Sequence, residues 1–341
     1  MKSDSSENTS ALWTILNVSS RGIAVSSKVA DTKIGIAPGD QRHMNIAVEI
    51  GLLLLLSLIW GSSFTLIKVA ADTVPPLTMT AARVTIAALL LVLFVKMRGL
   101  SLPRTGATWA AFFVQGLLQS ALPFTLISWG EQHIASGLAG VLNATPPMFV
   151  LLVAMTTAYG GQRITMQKIA GVVVGLAGVV ITIGFQSLGQ ANTAALLAQA
   201  AVLGASLCYA LAPMWGRRFA GLPAIVTAAG AMSCAAIMIL PAAIIIERPW
   251  TLAPTAEATI AVLVLAVLCT AFAMIIYFRL VQTLGPLGTT SGSYLRAGFA
   301  VALGIFFLGE SFTWSILIGM TLIVLGVIAV TAPLRWPWSK G

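Results

Sequence analysis

Charge is what this sequence has least of. Only 9% of its 341 residues are Asp, Glu, Lys or Arg, whereas 58% are hydrophobic and the mean hydropathy is +0.96. A soluble domain carries about 25% charged residues, because its surface faces water. So little charge excludes an ordinary soluble fold and favours a chain whose surface faces lipid.

The side chains that build catalytic and metal sites are also scarce. The chain has two histidines, contains no HExxH motif, and has no Asp beyond Asp72. Its three cysteines, Cys208, Cys234 and Cys269, lie in apolar stretches without the spacing of a disulfide framework or a metal site. We expect them to be small buried hydrophobic residues. The composition therefore argues against a membrane-embedded enzyme, and it predicts no metal and no cofactor.

Long uncharged runs are abundant. No charged residue occurs between Arg104 and Glu131, between Arg218 and Glu247, or between Glu257 and Arg279. A membrane-spanning helix needs about 20 mostly apolar residues. Polar, Pro and Gly clusters divide the chain into ten predicted spans. These are 48–70, 76–97, 107–128, 134–158, 166–184, 194–214, 222–246, 258–280, 287–308 and 313–333.

None of these runs alternates with the period of two that a membrane β-strand shows. Helices satisfy their backbone groups internally, so an all-α membrane protein is the prediction. Basic residues orient it: 15 of the 19 Lys and Arg fall in the tails and in loops on one side. Loops rich in Lys and Arg stay in the cytoplasm. Both termini should therefore be cytoplasmic, and the net charge of +9 reflects topology and not nucleic-acid binding.

The first 45 residues differ from the rest. They are rich in Ser, Asn and Thr, and their apolar patch is too short to span a bilayer or to serve as a signal peptide. We expect residues 1–45 to be a disordered cytoplasmic tail. Met44, directly before the first span, is an alternative start. Residues 334–341 form a second cytoplasmic tail.

The remainder contains an internal repeat. At an offset of 148 residues, Gly140, Gly171 and Gly178 match Gly288, Gly319 and Gly326. The aromatic residues Trp129 and Tyr277 match at the same offset. We therefore divide the chain into two five-helix repeats, 46–185 and 193–333. Because five is odd, the second repeat enters the membrane from the opposite side, as in many secondary transporters.

Several motifs of these repeats resemble one family. Trp60-Gly61-Ser62-Ser63-Phe64, Arg83, and Pro147-x-Phe149, with Gly161 at the glycine of the family's following glycine-acid pair, resemble EamA-type members of the drug/metabolite transporter superfamily. The resemblance covers about residues 48–333. The acid after the fourth span is replaced by Gln162, while Glu310 keeps it in the second half. The resemblance implies a ten-helix inverted-repeat transporter of small metabolites, amino acids or drugs.

Two arginines lie within predicted spans. An arginine at membrane depth costs about 2.5–3.5 kcal/mol on insertion scales, so such residues face a cavity or a partner. Arg83 lies in the second span, and Arg296 is near the middle of the ninth. Neither is predicted to have an acid at its depth. We therefore expect them to contact a solute with a negative group, or to be structural ties to carbonyls. For Arg83, a side chain that extends to the membrane interface is a further alternative.

Other polar groups complete the predicted solute pathway. Asn143 and Pro147 lie within the fourth span, where a proline frees backbone carbonyls. Gln119 is a weaker candidate in the third span. Aromatic side chains with polar tips can stack on a solute, or can simply pack. These are Trp60, Trp129, Tyr209, Tyr277 and Tyr294.

Two further groups of residues have structural interpretations. Lys68, Asp72, Glu131 and His133 are expected at a solvated outer rim. Any proton-coupling acid would have to be at that rim, because no acid lies deep in a span. The glycines of the fifth span, Gly171, Gly175 and Gly178, share one helix face and should permit close packing.

The interpretation that fits these features is a secondary transporter of a small metabolite in the cytoplasmic (inner) membrane, with export by alternating access. Its partners are the lipid bilayer and a small solute, with no nucleic acid, and a homodimer is left open. The alternatives are a channel or subunit without a transport cycle and a membrane-embedded enzyme.

Overall fold

A computed structural model describes residues 46–156, 166–183, 193–219, 221–283, 292–311 and 313–331. Within these ranges the fold is all-helical, with no β-strand. This confirms the all-α prediction. The predicted tails, 1–45 and 334–341, lie outside the described residues.

The described α-helices lie in the regions of the predicted spans, but three of those spans are each divided between two helices. In the first half they are α1 Ile46–Ala71, α2 Pro76–Met97, α3 Gly106–Gly116, α4 Leu122–Gly130, α5 Ser136–Leu142, α6 Pro146–Thr156 and α7 Met166–Ile183. In the second half they are α8 Thr193–Gly216, α9 Ala224–Ala242, α10 Ala256–Ala266, α11 Ala273–Thr283, α12 Gly292–Leu308 and α13 Trp314–Thr331.

Six helical segments are long and apolar enough to cross a membrane: 47–71, 76–97, 106–130, 193–216, 224–247 and 256–277. Shorter apolar helices cover 169–182, 295–308 and 314–326. Large apolar side chains face outward, among them Leu89, Ile237 and Phe306, which are 67%, 65% and 83% exposed. Such a surface fits lipid and not water. The count of ten crossings stays a prediction.

The predicted continuous fourth span, 134–158, is wrong in one respect. The structure breaks it into α5 and α6 at Asn143, Ala144 and Thr145. Pro146 and Pro147 open α6, where their missing N–H groups cost no helical hydrogen bond. The break therefore leaves the carbonyls at the end of α5 available to other side chains.

Two further interruptions escaped prediction. A π-helical turn at Leu117–Ala121 separates α3 from α4, and another at Val267–Phe272 separates α10 from α11. They occur in the third predicted span of each repeat. A π-turn changes which residues face the centre of a bundle.

The last helices of the two halves, α7 and α13, form the most extensive pairing in the described chain. A Cβ atom on Gly178 would lie 2.7 Å from the carbonyl oxygen of Gly319, and one on Gly326 would lie 2.5 Å from that of Gly171. At the repeat offset Gly171 corresponds to Gly319, and Gly178 to Gly326. The two contacts are thus equivalent, and the backbones approach closely because side chains are absent.

Candidate functional site

Arg83 is buried between the two halves of the bundle. It lies on α2, is 6% exposed, and donates from Nε to the hydroxyl of Thr270 at 2.8 Å. Its Cζ lies 3.9 Å from the ring centroid of Phe124, which places the cation on an aromatic face. Thr270 belongs to the π-turn between α10 and α11, so the contact joins the first half to the second.

Arg296 makes the reciprocal contact from the second half. It lies on α12 and donates from Nη2 to the backbone carbonyl of Asn143 at 2.9 Å. Its Nε is buried without a hydrogen-bond partner. The carbonyl is available because α5 ends at Leu142, where the chain turns. The negative end of a helix also favours a cation, although α5 is short.

An indole ring lies between these groups. Trp60 on α1 donates from Nε1 to the carbonyl of Cys269 at 3.2 Å. Its ring lies 5.6 Å from that of Tyr277 and 6.0 Å from the Cζ atom of Arg296. The side chains of Trp60 and Tyr277 are half-buried, so they form an aromatic wall beside the arginine.

Tyr209 on α8 lies near both arginines. Its hydroxyl interacts electrostatically with both Arg83 and Arg296. Next to it in the bundle, Asn143 accepts a hydrogen bond at Oδ1 from Ser206, 3.3 Å away. The structure thus brings six sequence-predicted residues into one cluster, which we term the central polar cluster. Its members are Trp60, Arg83, Asn143, Tyr209, Tyr277 and Arg296.

Two predicted residues lie elsewhere. Gln119, in the first π-turn, accepts at Oε1 from Gln115 at 2.6 Å. Trp129 lies near the end of α4, where its ring is 5.0 Å from that of His133. Neither has a described contact with the arginines.

For the remaining two, only the backbone is described. Pro147 lies in the first turn of α6 and Tyr294 in the first turn of α12. Both helix positions are close in sequence to members of the cluster, but the side chains lie outside the described part of the structure.

The sequence did not predict the uncharged residues that contact the polar groups of the cluster. Thr270, Phe124 and Ser206 are buried, with exposures of 0%, 7% and 0%. In the sequence, Thr270 and Ser206 could have been noticed only as hydroxyl residues within long uncharged runs. That signal is weak, because a buried hydroxyl can bond to its own helix, as Thr270 does with the carbonyl of Leu265. Within the described residues, no group of His, Cys, Asp and Glu could hold a metal ion.

A second group of charges lies where α4 ends and α5 begins. Glu310 accepts from the backbone N–H of Ser136 at 2.6 Å and of Gly137 at 2.9 Å. Lys68 donates to the carbonyls of Glu131 at 2.6 Å and Ile134 at 3.0 Å. A pocket of about 320 Å³ lies beside α5 and is lined in part by Glu310.

The predicted position of Glu131 at a solvated rim is wrong. The sequence predicted a solvated rim residue, but its side chain is 0% exposed, and neither carboxylate oxygen has a hydrogen-bond partner among the described residues. Asp72 and His133, predicted for the same rim, are exposed. The helical turn that follows α4 folds Glu131 inward, which no apolar pattern signals.

The chain resembles known membrane proteins over most of its length. A family profile described as "EamA-like transporter family" matches residues 48–184 and again residues 196–332. The duplicated match covers the two halves that contribute to the central polar cluster.

Three relatives are similar over almost their whole length. The "Uncharacterized inner membrane transporter YedA" of Escherichia coli K12 is 28% identical over 85% of this chain and 92% of its own. The "Uncharacterized transporter YoaV" of Bacillus subtilis is 26% identical over 81% of this chain and 94% of its own. The "Probable terminal-alkyne amino-acid exporter" of Streptantibioticus cattleyicolor is 27% identical over 84% and 94%.

One solved crystal structure shares the fold. It superposes with a TM-score of 0.58 at 21% identity, covering 83% of this chain and 97% of the other. At that identity the likeness concerns the fold alone.

Proposed function

Because this chain belongs to the EamA-like transporter family, we propose that it is a secondary transporter of the inner membrane that exports a small metabolite with a negative group. The central polar cluster is its solute site. Alternating access then moves one half against the other around this cluster.

The observation that carries the proposal is that the two arginines have no acidic partner among the described residues. Arg83 and Arg296 come from opposite halves, and in the described chain neither pairs with a carboxylate. Their partners are one hydroxyl, one carbonyl and aromatic faces. A buried charge without an ionic partner is costly, so a carboxylate on the solute would be bound strongly.

The neighbouring aromatic rings define the rest of the cargo. Trp60, Tyr209 and Tyr277 present apolar faces beside the cations, and these faces suit an apolar or aromatic side chain of the solute. An amino acid or an organic acid combines both features. The similarity to an amino-acid exporter supports the same class.

The proposed topology has ten crossings in two inverted repeats, 46–185 and 193–333, with both termini in the cytoplasm. The distribution of basic residues supports this orientation. Reporter fusions after Lys340 and between residues 186 and 193 should give signals from opposite sides. Signals from the same side would contradict the topology.

Export is tested by comparing the metabolites released by cells with and without the gene. A solute whose release depends on the gene is then measured in proteoliposomes. Uptake that saturates with concentration indicates a carrier, whereas a rate that rises linearly indicates a channel. Release that is unchanged across amino acids and organic acids would contradict the proposed cargo.

The charge-recognition role is tested by Arg296→Gln. The variant should weaken transport of an anionic or zwitterionic solute roughly tenfold or more, because a hydrogen bond to a charged group contributes about 1.5–3 kcal/mol. A matched neutral analogue should be affected less. Arg98→Gln, at an exposed position after α2, is the control. Equal losses for both solutes would mean that Arg296 supports the fold or the transport cycle.

A further inference from the structure

The acidic residues of the described chain differ in their partners. Glu49 forms an ion pair with Arg279 at 2.8 Å. Glu247 accepts from two backbone N–H groups at the start of α2, and Glu310 does the same at the start of α5. Asp72 and Glu257 are exposed to solvent. Glu131 differs from all of these, because it is fully buried and both oxygens are unpaired.

The surroundings of Glu131 contain three charges that act on it: Lys68, Glu310 and Arg83. Lys68 is the nearest by contact, but its ammonium group bonds to the carbonyls of Glu131 and Ile134 and not to the carboxylate. The other titratable groups of the adjoining elements are Asp72 on the turn after α1, His133 on the same turn as Glu131, and Cys208 and Tyr209 on α8. None of these bonds to the Glu131 carboxylate.

We propose that Glu131 is the proton-binding site that couples this transporter to a pH gradient. Its carboxyl group is protonated in the present conformation and gives the proton to water when the conformational change opens this end of the bundle. The coupling role of Glu131 rests on the proposed transport function. The binding of a proton by Glu131 does not depend on that function.

Burial without a partner is what keeps the carboxyl group neutral. Transfer of an ionised carboxylate from water into an apolar interior is so costly that the group takes up a proton instead. Burial accordingly raises the pKa of Glu131 well above its usual range, and although Lys68 lowers it and Glu310 raises it further, burial dominates. A raised pKa means that this residue favours the described conformation at low pH. This stabilisation of the described conformation is lost as the pH rises from the ordinary pKa of a glutamate through the raised pKa of Glu131.

Lys68 offers a partner for the ionised state. Its ammonium group already bonds to the main-chain carbonyl of Glu131 and acts electrostatically on the carboxyl group of the same residue. In the protonated state the lysine bonds to carbonyls. In the ionised state it can form an ion pair, which stabilises a more open conformation.

The position of Glu131 connects it to movement of the two halves. It lies between α4, which packs against α8 of the second half, and α5, which packs against α12. Glu310 of the second half accepts hydrogen bonds from the first residues of α5, which follow Glu131 closely in the sequence. A shift of one half against the other therefore changes the surroundings of Glu131, and the pocket beside Glu310 gives water an approach to this end.

Proton binding is tested directly on the purified protein by infrared spectroscopy during a pH titration. The wild-type protein should show the C=O stretching band of a protonated carboxyl group at neutral pH. Glu131→Gln should remove that band, and Asp72→Asn, at an exposed acid nearby, should retain it. If Glu131→Gln is poorly folded by size-exclusion chromatography, Glu131→Asp should instead shift the band. A band that neither variant changes, or no band in the wild type, would overturn the proposal.

Coupling is tested in proteoliposomes with a mixture of radiolabelled amino acids. A gradient of about one pH unit supports at most roughly tenfold accumulation for one proton per solute. Glu131→Gln should abolish this accumulation but retain solute exchange at equal pH. Accumulation equal to that of the wild type would refute the coupling role. If the wild type moves no amino acid, the same assay is run with radiolabelled organic acids. Failure with both classes would refute the proposed cargo, and the infrared band would still decide whether Glu131 binds a proton.

Discussion

The glycine crossing of α7 and α13 yields a prediction of stability that can be worked out from distances. In Gly178→Ala the new Cβ would lie 2.7 Å from the carbonyl oxygen of Gly319 and 2.8 Å from the backbone nitrogen of Ile323. Both atoms are backbone and cannot rotate away. The two helices must therefore separate, and overpacking of this kind costs about 1–3 kcal/mol.

The matched control is Gly51→Ala on α1, where no atom lies within 4 Å of the added Cβ. Both variants gain the same helix propensity, about 1 kcal/mol, so their difference isolates the clash. In thermal melting of the detergent-solubilised protein, Gly178→Ala should melt roughly 2–12 °C below Gly51→Ala, on the scale of about 2–4 °C per kcal/mol. Equal melting temperatures would refute the close approach of the two backbones.

Two further substitutions test contacts between helices. Glu247→Ala removes the acceptor for two N–H groups at the start of α2 and should cost about 0.5–2 kcal/mol, measured by the same melting assay, whereas Glu257→Ala at an exposed position should cost less. Trp60→Phe keeps an aromatic ring but loses the hydrogen bond to Cys269, so transport should fall several-fold with normal protein levels. Trp250→Phe, at a side chain that is 69% exposed, should leave transport unchanged, and an equal loss in both tryptophan variants would contradict this role of Trp60.

The apolar runs predicted most of the helices because lipid imposes one simple requirement on composition and length. The family resemblance is also confirmed, and all three cysteines are buried as expected. The break at Asn143 and the two π-turns were not predicted. They depend on which backbone groups find partners elsewhere in the bundle, such as the carbonyl that accepts from Arg296. A single sequence records no such pairing.

The candidate site was predictable in part. Arginines in apolar runs are costly, so Arg83 and Arg296 were visible as exceptions, and the structure places them in one cluster whose role stays a prediction. Glu131 was not visible, because an acid at the end of an apolar run usually faces water. Its burial follows from the direction of one turn after Gly130, which composition does not determine.

The bond between Arg296 and the carbonyl of Asn143 has a consequence for how this protein tolerates mutation. The acceptor belongs to the main chain, and every amino acid at position 143 supplies the same carbonyl. The donor, in contrast, exists only while codon 296 encodes arginine. A substitution at position 143 that fits this buried site should therefore keep the acceptor for Arg296 and lose the amide contact with Ser206, whereas any substitution at position 296 removes the guanidinium donor. Of the two groups in this bond, only the side-chain donor can be removed by a point mutation.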